Sequence, residues 1–500
     1  MSNPYATSLP ASPDLAQQRK RAKDLLKSVR AGDSDAIARL RYSHPRLANA
    51  PEPELHAAKL HDAQWVIARE YGFSSWLKLK QHIDEIITGA NRRPYRIFDT
   101  NIQYYRDRAG GLRSVLSTGE RNALRLVREF HPGFANASDA EIQAANVTQQ
   151  DAELIQAREH GFSSWAELEA AVDALKADSS KEPFRLAFEA IEARDDAKLG
   201  TLLKQHRSLA KASGTNGNQL LHFAVNHDNP RLVTLLLEAG ADPDAANDKG
   251  ATPLTQAAYC GEAQIIEQLL AKGASIDAEA YGDGGTPLAF ALFWGHKEAA
   301  EKLAEIAVVP RNLRMAAGLG QLDIMAELFD SDRKLKAEAS FHREFHRPHS
   351  GFPPWRPKDD PQEILDEALT YAARSGRVEA MAFLHAHGAN FDAEPYNGTA
   401  LAWAARCDRT EAIAWLLNHG ADVNKRCGFG GSTDGTPLHY AAAWNPRLAA
   451  AQLLVARGAD LQAKDEAYQA TPAGWAEHFG NKEIHGFLVA AASEQERSAT

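Results

Sequence analysis

Five hundred residues exceed what one ordinary hydrophobic core organises, so the chain needs either several domains or an array that extends by repetition. Hydrophobic residues at 44% and charged residues at 24% are ordinary for a water-soluble protein, and no run of about 18 apolar residues is present to span a membrane. The charge is uneven: residues 1–130 hold 22 Lys+Arg against 14 Asp+Glu, a net of +8, which leaves −18 on the remainder and −10 overall. Such an arm could mark an anion site, but no nucleic-acid motif accompanies it, so nucleic acid is not an expected partner.

Residues 1–13 are polar and Pro-rich; they predict a disordered tail and not a secretory signal. Three cysteines, an odd number, point to a reducing compartment, and the cytoplasm is expected. From Asp14 a helical period carries Leu25, Leu26, Val29, Ile37 and Leu40 and breaks at His44-Pro45. A second helical stretch ends at Gly72, where Phe73 packs and Ser74-Ser75 precede a further helix beginning at Trp76.

The phrase then returns. AREYGFSSW at 68–76 becomes AREHGFSSW at 157–165, 89 residues later, and His131-Pro132 lies 87 residues after His44-Pro45. Two diverged copies of one helical module are therefore expected, at 14–89 and 114–178, with the Arg- and Tyr-rich stretch 90–113 as linker. The module is either a dedicated docking domain or a cap on the open end of the array that fills the rest of the chain.

A different repeat begins near Lys181. Its clearest unit is 247–279: a turn at Asp248-Lys249-Gly250, a helix start at Thr252-Pro253, a short helix stopped by Gly261, and a second helix with Ile265, Ile266, Leu269 and Leu270 on one stripe, stopped by Gly273. Two helices this short cannot bury that stripe alone. Equivalent starts fall at Gln219, Thr286, Thr399, Thr436 and Thr471, and closing turns of Gly-Ala-Asp type recur at 240, 273, 388, 420 and 458. Gln219 to Thr252 is 33 residues and Thr252 to Thr286 is 34; with the irregular members, about nine units are expected. The pattern resembles the ankyrin repeat family, with Thr436-Pro437-Leu438-His439-Tyr440-Ala441 its best match. The resemblance implies an all-α solenoid of stacked helix-turn-helix units, with hairpin fingers and protein binding on the concave face. It also implies that His222 and His439 bond adjacent turns. GFSSW phrases are similar to those preceding ankyrin arrays in some bacterial proteins.

The array is expected to run in two blocks, 181–330 and 363–492, parted by an insertion at 331–362 that is far longer than an ankyrin turn. Within SFHREFHRPHSGFPPWRPKDDP, His342 and His346 are i and i+4, and with His349 they are enough in number for a zinc ion with one open position. No HExxH or companion carboxylate supports that reading, so no metal and no cofactor is expected. Phe341, Phe345, Phe352 and Trp355 instead predict a lid lying on the groove, with His346 and Trp355 among its contact residues. The glycine-rich GFGG at 428–431 reads as an enlarged finger, not a phosphate loop.

Counting seven and eight residues past each Thr position gives the partner-facing end of the inner helices in this family: Asn226 and His227, Tyr259 and Cys260, Phe293 and Trp294, Arg406 and Cys407, Ala443 and Trp444. Finger tips add Tyr281, Tyr396, Phe429 and Tyr468. Tyr259, Phe293, Trp294, Tyr396, Arg406 and Trp444 are the candidate binding residues, because rings and arginines dominate binding hot spots. No catalytic constellation is present. The expected function is a non-catalytic scaffold for a protein partner; the alternative is an enzyme or small-molecule binder whose pocket is the groove roofed by 331–362.

Overall fold

The computed structural model describes residues 5, 7, 14–44, 47, 50–71, 73, 76, 79–80, 83, 94–116, 121–179, 182–280, 285–307, 309–341, 358–395, 398–429, 433–443 and 448–499. The protein is mostly helical, with 64% helix and 2% strand. It divides into two units, 1–257 with 264–278 and 258–263 with 279–500.

The first unit opens with α1 (Leu15–Arg30), α2 (Ser34–Ser43), α3 (Glu52–His56) and α4 (Leu60–Glu70). Asp14 and Asp33 cap α1 and α2 by accepting backbone N–H groups at 2.8 Å each. The apolar stripes of α1, α2 and α4 meet in one core with Leu25, Val29, Leu40, Val66 and Ile67, which Trp76 also joins.

The second copy repeats this element by element. It runs through α5 (Ile102–Leu116), α6 (Arg121–Phe130), α7 (Asp139–Ala144), α8 (Gln149–Glu159) and α9 (Trp165–Ala177). The starts of α5 and α6 lie 87 residues after those of α1 and α2, and α8 lies 89 after α4, so two residues have entered between. Buried Gln18, Ala22, Leu25 and Val29 of α1 become buried Tyr105, Ala109, Leu112 and Leu116 of α5. His44 Nε2 meets Asp62 Oδ1 at 3.1 Å, and His131 Nε2 meets Asp151 Oδ1 at 3.2 Å. Both aspartates also accept the backbone N–H at the start of their helix, from Lys59 and Thr148. Trp76 is 4% exposed and Trp165 is partly buried, stacked under the Arg106 guanidinium.

The stretch 90–113 corrects the sequence reading. From Ile102 it is the first helix of the second copy, and only 94–101 connects the copies in extended form among the described residues. That extended segment belongs to the module as well. Thr7 N–H donates to the Glu70 carbonyl at 2.8 Å, and Tyr95 N–H donates to the Glu159 carbonyl at 3.0 Å.

The second copy seats on the next helix pairs, α10 (Pro183–Glu192) with α11 (Asp196–Gln205) and α12 (Leu220–Val225) with α13 (Pro230–Glu238). Arg96 N–H donates to the Ser213 carbonyl at 2.8 Å, and Phe98 packs among Phe184, Phe188 and Phe223. Asp248 Oδ1 accepts from Tyr95 Oη at 2.7 Å and from Arg125 at 3.1 Å. His160 contacts Thr215 Oγ1 at 3.0 Å, and burial pushes its imidazole down to about 4. From the first copy, Lys80 Nζ reaches Asp242 at 2.9 Å.

The pair α14 (Pro253–Cys260) and α15 (Ala263–Ala271) straddles the division. The second unit continues with α16 (Pro287–Trp294) and α17 (Lys297–Ala304), then α18 (Leu313–Leu319) and α19 (Leu322–Glu327). After the insertion come α20 (Pro361–Ser375) and α21 (Val378–Ala386), then α22 (Ala400–Arg406) and α23 (Thr410–Asn418). A hairpin of β1 (Cys427–Phe429) and β2 (Thr433–Gly435) pairs Cys427 with Gly435, and it is the enlarged finger. The last pairs are α24 (Pro437–Ala442) with α25 (Leu448–Ala456) and α26 (Pro472–His478) with α27 (Lys482–Ala499). Among the described residues nine helix pairs lie beyond Lys181.

One device recurs along these pairs. His439 Nδ1 accepts from Thr436 N–H at 3.1 Å, while Nε2 faces the Ala470 carbonyl of the next unit at 3.1 Å. His222 does the same between Gln219 and Ala251. Each ring therefore closes its own helix start and ties it to its neighbour.

Of the insertion, 331–341 and 358–362 are described. Arg333 donates to the Ala386 carbonyl at 2.8 Å, and the Phe341 carbonyl accepts from Asn312 at 2.8 Å. Phe341, expected to pack down on the groove as part of the lid, is 51% exposed. His342, Phe345, His346, His349, Phe352 and Trp355 lie outside the described residues.

Candidate binding site at the ends of the inner helices

The inner helices of the second unit end alike. Gly261, Gly295, Gly320 and Gly376 hold positive φ of 83°, 74°, 73° and 69°, and Asp408 holds 53°. Two residues before each cap stand Tyr259, Phe293, Gly318, Arg374 and Arg406. The repeat places these at equivalent ends of successive inner helices.

Phe293 and Trp403 pack edge to face with centroids 5.4 Å apart, Trp294 lies 6.4 Å from Trp403, and Tyr259 lies 5.2 Å from Trp294. Arg374 sits at the centre of this cluster, wholly buried, its guanidinium 3.6 Å from the Trp403 centroid, 4.6 Å from Tyr371 and 4.8 Å from Phe293. It donates to the Phe293 carbonyl at 2.5 Å, to the Thr370 carbonyl at 3.1 Å and to Thr370 Oγ1 at 3.1 Å. Burial lowers its ionisation to about 10, so the group is still a cation at neutral pH. The rings stand where a carboxylate would otherwise be needed.

Gly318 makes this possible. It fills the equivalent place in α18, so no side chain separates α16 from α20 and α22 there; an added Cβ would lie 3.1 Å from Leu292 Cδ2 and 3.6 Å from Tyr371 Cδ1. Arg409 completes the joint, donating to the Gly295 carbonyl at 2.6 Å and to the Arg374 carbonyl at 3.0 Å. Deeper in the same helices, Arg314 and Glu367 form a buried ion pair at 2.9 Å.

Family models described as "Ankyrin repeats (3 copies)" match residues 202–312 and 313–427, and one described as "Ankyrin repeats (many copies)" matches 401–455. The chain is an ankyrin repeat protein. Its curated relatives resemble it over a small part of its length. "Probable E3 ubiquitin-protein ligase XBOS32" of Oryza sativa is 34% identical over 96 residues, 19% of this chain and 19% of the relative. "Protein PhlB" of Serratia liquefaciens is 42% identical over 79 residues, 16% and 35% respectively. "Putative ankyrin repeat protein FPV031" of Fowlpox virus is 38% identical over 95 residues, 18% and 28%. The chain thus spans well under two thirds of each.

Within this ankyrin frame the sequence-derived site residues divide. Phe293 and Trp294 are 2% and 8% exposed: they stand at the expected place but are packed as core, because α20 and α22 close over them. Tyr259 and Arg406 are partly exposed, and Arg406 lies over the Trp294 ring at 4.8 Å. The structure brings Tyr259, Phe293, Trp294 and Arg406 together. Tyr396, Trp444, His346 and Trp355 lie outside the described residues. Arg374 and Tyr371 escaped the sequence reading, since the unit starting with α20 has no Thr-Pro from which to count, and Trp403 escaped because the count from Thr399 took only the seventh and eighth residues. Counting back two residues from the cap glycine Gly376 would have found Arg374.

Cys427 is 1% exposed and burial pushes it up to about 12, far from a thiolate at neutral pH. No group of three or more His, Cys, Asp or Glu among the described residues could hold a metal ion, and no described helix is long and apolar enough to cross a membrane.

Proposed function

We propose that this ankyrin protein is a non-catalytic scaffold that holds a protein partner on the concave side of its array, at the edge marked by Tyr259 and Arg406. Ankyrin repeats are in general protein–protein interaction modules, and that is the coarser statement the family supports. The finer reading rests on one observation: a partly exposed ring and a partly exposed guanidinium stand on a rigid, buried base of Trp294, Phe293, Trp403 and Arg374. A ring and a guanidinium so braced lose little freedom on binding, which is what hot-spot residues need. The duplicated module acts in this reading as a cap on the first repeats, supported by the bonds from Arg96, Arg125 and Lys80 to repeat residues. The cytoplasm is the proposed compartment, on the odd cysteine count. The enzyme or small-molecule alternative rests on the aromatic groove together with the 331–362 insertion, of which residues 342–357 lie outside the described ones.

A photo-crosslinking residue placed at 259 or 406 tests the reading, with the exposed outer-helix position Glu411 as comparison. Adducts with a protein from 259 and 406 but not from 411 are expected. Equal or stronger adducts from 411 would move the interface off the inner helices.

A further inference from the structure

The two copies of the N-terminal module make the same first helix from different surfaces. In α1, Lys20, Lys23, Lys27 and Arg30 are exposed and fall at i, i+3, i+7 and i+10, one stripe about 15 Å long. The buried side of α1 lies opposite, on Ala22, Leu25 and Val29. Lys20, Lys23 and Lys27 form no ion pair with a described residue; Arg30 donates to the Ala58 carbonyl at 3.2 Å. Asp24 borders the stripe without entering it. Arg19, on the other flank, feels the Asp242 carboxylate.

The second copy supplies an internal control. At the places of Lys20, Lys23 and Lys27, helix α5 has Asp107, Gly110 and Ser114, while its four buried residues stand at the places of Gln18, Ala22, Leu25 and Val29. Asp107 is occupied locally, accepting from Gln103 at 2.7 Å. The fold therefore builds this helix without a basic stripe, and three lysines in a row with no ion pair among the described residues are not a requirement of the module. Concentrated like charge on a helix costs stability unless something opposite offsets it.

We propose that the Lys20–Lys23–Lys27 stripe docks an acidic segment of a protein partner, separately from the inner-helix site. A stripe of lysines is a row of point charges without the planar fork that grips phosphate bidentately. The exposed positions of α1 carry no aromatic platform on which a base could stack, so single-stranded nucleic acid gains nothing there beyond charge. A run of carboxylates matches the stripe by charge complementarity alone, and the association is salt-sensitive.

The test uses the full chain and fluorescent polyglutamate of about twenty residues, followed by anisotropy at rising NaCl. The variant Lys20→Gln with Lys23→Gln and Lys27→Gln keeps helix-forming residues and touches no described partner, so its circular dichroism and Tm should match the parent. Loss of polyglutamate affinity by tenfold or more is expected, with recovery when the three residues are arginine instead. Parallel arms use a 20-base-pair DNA duplex and phosphatidylserine vesicles. Polyglutamate binding equal in parent and variant would overturn the proposal. So would an effect of the three substitutions confined to DNA or to vesicles, which would assign the stripe to a phosphate surface.

Discussion

The histidines that tie one repeat to the next set how this protein responds to acid. Burial lowers His222 to about 4 from an ordinary 6.5, and it lowers His160 and His296 to about 4 as well. The unfolded chain therefore binds protons that the folded chain refuses between pH 6.5 and 4. Stability from neutral His222 is fully present above about 6.5 and is lost as pH falls toward 4. Replacing His222 with Ala orphans the Gln219 N–H and leaves the Ala251 carbonyl with Asn247 N–H alone, and should cost about 1–3 kcal/mol at pH 7.5 by urea unfolding. That difference should shrink as pH falls through the same window; a constant difference would mean His222 is not the titrating group. The buried cation makes an opposite case. Arg374→Ala removes three donated bonds and leaves a cavity among rings, for a loss of roughly 3–5 kcal/mol, while Arg406→Ala, partly exposed, should cost about 1 kcal/mol. Equal losses at both positions would contradict the cluster as described.

At the scale of elements, the duplicated module makes paired predictions possible, because the same contact occurs at two burials. Asp62 is 1% exposed and Asp151 about a third exposed, yet each meets a histidine and caps its helix. Asp62→Ala should therefore cost about 2–3 kcal/mol and Asp151→Ala about 1 kcal/mol, read from thermal melts of the two variants. The repetition of AREYGFSSW made the duplication legible in sequence, and the 87- and 89-residue offsets survive in the helices. The first helix of the second copy was not legible. Its buried stripe is Tyr105, Ala109, Leu112 and Leu116, and Gly110-Gly111 with the surrounding arginines disguise it as linker. The binding edge shows the same limit. Sequence spacing located Tyr259, Phe293, Trp294 and Arg406 on one edge, but it could not tell that Gly318 lets α20 and α22 close over two of them.

For the whole molecule, four of the nine helix pairs among the described residues start at a Thr-Pro and the others were read from spacing and glycine stops, whereas the division into two units was not legible. That division depends on which long-range contacts form, and no local pattern records it. Two such units predict thermal unfolding that departs from one two-state step, with calorimetric enthalpy above the van't Hoff value; a ratio near one would make the chain a single cooperative block. The joint around Arg374 has a mechanical consequence. In a plain solenoid, force on the ends peels away one repeat at a time, each releasing roughly 11 nm of contour for about 33 residues. Here the Phe293 carbonyl is bonded to Arg374, 81 residues further on, and the Phe293 ring meets Trp403 beyond it. Everything between, insertion included, is shielded from load until that clasp ruptures. Single-molecule stretching should then show one tall peak followed by an extension of about 28 nm or more, standing out from the small regular steps on either side.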